Sequence, residues 1–170
     1  MKNREIHIPV ARLKKYLVEV GINVSMLAEL SGISVVHLHK CLSGEIDGRN
    51  GSVRTMSDEN IKCLQEALHK LSIKLKYSFI LYNEDKEVLK QGGRRYCPDC
   101  VDQVKQQIKP YISVLSFMQY ALGWSRSKVL NVMNCKNGQA YGNISRDDAN
   151  TINLKLAELA TRLDMLTIIK

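Results

Sequence analysis

Moving the sequence by 91 places lays Val10, Lys14, Ser25, Gly32 and Ser34 over Val101, Lys105, Ser116, Gly123 and Ser125. The same shift sets Leu13, Leu17, Leu27, Leu38 and Leu42 opposite Val104, Ile108, Met118, Val129 and Met133. Further along, a shift of 88 sets Ser57, Leu64, Leu68 and Leu71 opposite Ser145, Ile152, Leu156 and Leu159. The identities are few, but they fall on helix caps, a turn glycine and apolar positions, where geometry limits the choice of residue. Duplication is the simplest account of such placement. The second half is therefore expected to fold as the first does.

The first half is helical in its periodicity. Val10, Leu13, Leu17 and Val20 recur at helical spacing behind Pro9, which suits a first helical turn. Gly21 ends that helix. Ser25 is the expected cap of a short helix reaching Leu30, Gly32 supplies a left-handed turn, and Ser34 caps the next helix, whose Leu38 and Leu42 face inward. After a polar loop, Ser57 caps a helix with an Ile61, Leu64, Leu68, Leu71 stripe. From residue 75 the pattern turns aromatic and β-favouring, and Asn83, Glu84 and Asp85 form a turn signal. A β-hairpin is expected there, with strands at 75–82 and 86–91. Gly92 and Gly93 break it, and the segment Cys97-Pro98-Asp99-Cys100 opens a helix that stops near Pro110.

Residues 26–44 resemble the Cro/C1-type (phage-repressor-like) helix-turn-helix family. The resemblance rests on small Ala28 where two helices cross, turn Gly32, apolar Ile33, cap Ser34, core Leu38 and Leu42, and the trailing Ser43 and Gly44. It implies a mainly α fold of two tandem helix-turn-helix (lambda-repressor-like) domains, the second divergent, joined by a short β-hairpin. The expected divisions are residues 1–73, 74–96 and 97–170. It also implies a partner, double-stranded DNA. In such a unit the amino end of the second helix enters the major groove, and donors at helix starts meet phosphates. Val35, Val36, His37 and Lys40 are then the base-facing set of the first unit, with Ser25 and Ser34 near the backbone. In the second unit the same registration selects Arg126, Ser127, Lys128 and Asn131, with Ser116 and Ser125 near phosphates. Arginine and lysine address guanine and asparagine addresses adenine, whereas the valines suit thymine methyl groups.

The second unit departs from the pattern at three places. Gln119 stands where Ala28 does, Trp124 replaces Ile33, and Cys135 replaces Gly44. It is either a second reading head or a degenerate copy kept for packing. Charge favours the first alternative. The net charge is +8, and between Gln103 and Arg146 there is no Asp or Glu, while Lys105, Lys109, Arg126, Lys128, Lys136 and Arg146 are basic. The loops carrying Arg49, Arg54 and Lys136 are glycine-containing and polar, fit either for phosphate contact or as solvated connectors.

Other chemistry is sparse. A hydrophobic content of 45% with 25% charged residues describes a folded chain and not a disordered one. The first eight residues lack a signal-peptide core, and no apolar run is long enough to span a bilayer, so the expected location is cytoplasmic, with no membrane partner. The five cysteines are then expected as thiols. One CxxC, at Cys97 and Cys100, allows half a zinc site or a redox pair, but no second CxxC or CxxH accompanies it. No cofactor is expected, zinc being the sole candidate. Paired carboxylates, a nucleophile elbow and a phosphate loop are all missing, so no enzymatic activity is expected. The leading expectation is a sequence-specific transcriptional regulator of bacterial or phage type reading a non-palindromic site, with a possible homodimer contact through the 74–91 hairpin. Two alternatives stay open: an accessory, architectural or protein-interaction component of a mobile genetic element, and a CxxC-based zinc or thiol sensor.

Overall fold

The structure, a computed structural model, describes residues 6–46, 51–52, 55–89, 93, 95–134 and 144–169. Within them the chain is mainly helical with two small sheets. Strand β1 (Ile6–Pro9) leads into α1 (Val10–Glu19), α2 (Val24–Ser31) and α3 (Val35–Ser43), and the long helix α4 (Asp58–Lys76) closes the first half. A 3₁₀ turn (Glu84–Lys86), β2 (Val88–Leu89) and β3 (Arg95–Tyr96) follow. The second half comprises α5 (Asp99–Gln103) running into a π-helical stretch (Val104–Ile108), then α6 (Val114–Leu122), α7 (Arg126–Met133), α8 (Arg146–Asp164) and β4 (Leu166–Ile169).

Local chemistry explains most boundaries. Ser34, Ser57, Ser125 and Ser145 each accept a backbone N–H of the first turn of α3, α4, α7 and α8, as expected of them. Two caps differ from expectation. Asn23 caps α2, its side chain accepting the Ser25 N–H at 2.9 Å, and Ser113 caps α6 by accepting the Ser116 N–H at 3.4 Å. Ser25 and Ser116 thus lie inside the first turn as donors. A capping oxygen must precede the amides it satisfies, and in both halves a suitable residue stands two or three places upstream.

The expected hairpin is displaced. The 75–82 segment is not a strand of it: α4 continues to Lys76 because Leu64, Leu68, Leu71 and Leu75 form an unbroken, fully buried helical stripe. Beyond it Ser78 and Ile80 are buried while Tyr77, Phe79 and Leu81 are exposed. Among the described residues this alternation carries no strand partner. Strand β2 pairs antiparallel with the later β3, Val88 opposite Tyr96 and Leu89 opposite Arg95.

The two halves share one continuous cluster of buried side chains, which crosses the boundaries drawn from the sequence. Helix α4 packs along α8 and α1 meets α6. The first and last described strands also meet, since β1 pairs in parallel with β4 from Ile6–Leu166 to Pro9–Ile169.

Two further contacts between halves are reciprocal. Ile22 and Ile112 form an antiparallel bridge, in which the Asn23 N–H donates to Tyr111 O at 3.4 Å and the Ser113 N–H donates to Gly21 O at 2.6 Å. A shift of 90 places, one less than the 91 that aligns the turn glycines, converts one bond into the other. A second reciprocal pair joins each long helix to the segment that follows the other. Gln65 of α4 accepts the Ile168 N–H at 2.9 Å and donates to Leu166 O; Asn153 of α8, its equivalent 88 places on, accepts the Ile80 N–H at 2.7 Å and donates to Ile80 O at 2.9 Å. Each half therefore sends its last segment onto the long helix of the other.

Candidate nucleic-acid interface

The first candidate head is built from α2, the turn and α3. Gly32 closes α2 at φ +71°, a conformation that suits glycine, and Ser34 accepts the His37 N–H at 3.2 Å. Leu38, Cys41 and Leu42 then point into the core with Ile33 beneath the turn. The opposite face is left to solvent. Val35 is exposed and Val36 is 66% exposed, a large apolar side chain with little protein around it. Ser34 is exposed beside them, and Ser25 is exposed on α2. Lys40 is half-buried, 3.6 Å from Glu45.

His37 is placed differently from its neighbours. Its Nε2 lies 3.5 Å from the Cys41 Sγ and 3.3 Å from the Asn60 Nδ2, and the residue is half-buried. The ring thus ties α3 to the start of α4, while His39 is the exposed histidine of this helix. Asn60 carried no sequence signal, because its partner is 23 residues away.

The second candidate head repeats the plan with different side chains. Gly123 closes α6 at φ +63°, and Ser125 accepts the Lys128 N–H at 3.2 Å. Val129 and Val132 are buried, whereas Arg126, Ser127, Lys128 and Asn131 are exposed together. Trp124, in the place of Ile33, is buried beneath the turn, and the Lys128 ammonium sits 4.0 Å from its ring centroid. That cation–π contact holds the lysine against the turn. Gln119 is exposed, unlike buried Ala28, so its bulk does not enter the helix crossing. Ser116 is half-buried, with its hydroxyl 3.3 Å from that of Ser113.

A cleft of about 900 Å³ adjoins this head, lined by Ser127, Lys128 and Asn131 together with Glu87, Arg95, Tyr96, Asp147 and Asp148. Folding thus brings carboxylates to the acid-free stretch from outside it. Two of them are engaged: Glu87 lies 3.4 Å from Arg95, and Asp148 accepts the Ser145 hydroxyl at 2.7 Å. Arg146 at the rim pairs with Glu84. The field at the second head is more balanced than its local sequence implies. Arg49, Arg54 and Lys136, with Cys135, lie outside the described residues.

Cys97 and Cys100 are fully buried. The Cys97 N–H donates to Ile144 O at 3.2 Å, and the Cys100 sulfur lies 3.8 Å from Leu81 O. Burial, reinforced by the neighbouring Cys97, pushes the Cys100 thiol up to about 12. A helix start lowers a thiol pKa when the sulfur is open to that field and to water; here desolvation wins. Cys63 is a free thiol, half-buried. Among the described residues no three His, Cys, Asp or Glu side chains are grouped to hold a metal ion. None of the described helices is long and apolar enough to cross a membrane. No protein family profile, curated protein or solved structure matches the chain.

Proposed function

We propose that the chain is a sequence-specific double-stranded DNA-binding protein, a transcriptional regulator in which α2–α3 and α6–α7 are two helix-turn-helix units and α3 and α7 read bases. The observation that carries this reading is the paired exposure at the starts of α3 and α7. Val35 and Val36 stand in water at one, and Arg126, Ser127, Lys128 and Asn131 at the other, while the rear of each helix is anchored in the core. Glycine turns and serine caps orient both helices alike. The chemistry suits thymine methyl contacts from the first head and guanine or adenine edges from the second, hence a non-palindromic site. A net charge of +8 supplies attraction to phosphate.

The test is a duplex titration of Arg126→Glu with Lys128→Glu against the parent chain. Affinity falling at least tenfold, with a shallower dependence on salt, supports the reading. Unchanged affinity favours the other class, a protein-interaction or architectural component of a mobile genetic element. The exposed Tyr77, Phe79 and Leu81 beside α4 are the observation on its side. A thiol sensor requires an accessible, low-pKa sulfur, and Cys100 has neither property.

A further inference from the structure

We infer that the two reading helices form an inverted pair, so that one copy of the chain engages two unlike half-sites lying in opposite orientation along the duplex. The inference rests on the DNA-binding reading above and adds the geometry of its target. A tandem repeat allows two arrangements. If the second unit were related to the first by translation along the chain, the contacts between units would be heterologous, one surface of the first against a different surface of the second. A two-fold relation instead makes each contact occur twice with its partners exchanged.

Three of the contacts are of the second kind, while the β1–β4 pairing has no counterpart among the described residues. The bridge at Ile22 and Ile112 is its own image at a shift of 90, one less than the 91 that aligns the turn glycines: Asn23 N–H to Tyr111 O then becomes Ser113 N–H to Gly21 O. The amide of Gln65 grips the segment ending the second half, and that of Asn153 grips the segment ending the first. Helix α4 lies against α8, its own equivalent. Three separate places in the fold thus obey one approximate rotation. Helices α3 and α7 follow equivalent turns at Gly32 and Gly123 and equivalent caps at Ser34 and Ser125, so the same rotation exchanges them.

B-form DNA has two-fold axes of its own perpendicular to the helix. A two-fold pair of heads that share one face fits it with half-sites inverted and spaced by one helical turn, about 10 base pairs, or a multiple. Because the heads carry different side chains, the inverted half-sites differ in sequence. Inversion is therefore hidden in the natural target and has to be exposed by making the heads alike.

The experiment grafts the second head onto the first: Val35→Arg, Val36→Ser, His37→Lys and Lys40→Asn in one chain, followed by selection from random duplex DNA beside the parent chain. A companion graft retains His37 and its contacts with Cys41 and Asn60, so that a folding failure of the full graft leaves the question answerable. The expected result is that the grafted chain enriches an inverted repeat of the half-site assigned to Arg126 and Asn131. Reversing one half-site is expected to weaken binding roughly tenfold or more. Enrichment of a direct repeat overturns the inference, as does a motif of one half-site only. Absence of any enriched motif for the parent chain is a different failure, that of the DNA-reading proposal itself.

Discussion

Gly21 is held where a side chain has no room. Its φ is +75°, and an added Cβ would lie 3.1 Å from the Ser116 Cβ and 3.2 Å from both the Phe117 nitrogen and the Ser113 oxygen. Two of those neighbours are backbone and cannot swing aside. Gly21→Ala is expected to destabilise the chain by more than about 1 kcal/mol, read as a lower denaturant midpoint at unchanged slope. Gly32→Ala meets nothing within 4 Å and carries only the conformational strain of its positive φ, so its loss should be smaller. His37 makes the opposite point about what a sequence conceals. Its position two residues inside α3 marks it for the groove, but its contact with Asn60, 23 residues on, is a long-range fact of packing. His37→Ala should cost about 1 kcal/mol of stability through the lost Asn60 contact. A normal thermal midpoint together with lost base preference would show that the ring reads DNA. The caps at Ser34 and Ser125 were legible because a serine three residues before a turn amide needs no distant partner. Those at Asn23 and Ser113 were hidden by equally plausible serines just downstream.

At the scale of elements, the segment after α4 is held by side-chain amides in place of a neighbouring strand. Gln107 accepts the Phe79 N–H at 3.2 Å, Asn153 accepts that of Ile80, and Gln103 accepts that of Leu81 at 2.7 Å. The aromatic alternation of residues 77–81 was visible in the sequence and suggested a strand. What completes the backbone hydrogen bonding is a set of glutamines and an asparagine on other helices, whose identity carries no local pattern. Leu71 and Leu75 extended the helical stripe past the point where β-favouring residues begin, and burial of that stripe decided the boundary. Replacing Asn153 by Ala strips both hydrogen bonds from Ile80, and replacing Gln65 by Ala strips those from Ile168 and Leu166. Each change should cost about 1–3 kcal/mol, because part-buried backbone groups lose their partners. Hydrogen exchange should locate the loss at Ile80 for the first variant and at Ile168 for the second. Protection unchanged at those amides would mean that the clamps do not hold the segments.

For the whole molecule, the continuous core and the pairing of β1 with β4 make the halves one body, although the repeat in the sequence suggests two. Such repeats report which elements recur and are silent about how the copies dock. The expected consequence is a single cooperative unfolding transition seen alike by fluorescence and far-ultraviolet dichroism; two resolved transitions would separate the halves. Alkaline pH supplies a second check. Cys100 keeps its proton in the folded chain up to about 12, against an ordinary thiol value of 9.0. Between those limits the unfolded chain binds fewer protons than the folded one, so stability is retained below pH 9.0 and lost as pH rises toward about 12. The slope from this group is at most about 1.4 kcal/mol per pH unit, and Cys100→Ala should remove it.

In the function we propose, this body presents two unlike heads to one duplex. Selection from random double-stranded DNA by the purified parent chain tests it most directly. Two unlike heads on one duplex should enrich one motif of two dissimilar half-sites about one helical turn apart, bound at one chain per site. Salt-sensitive binding that enriches no motif would contradict it.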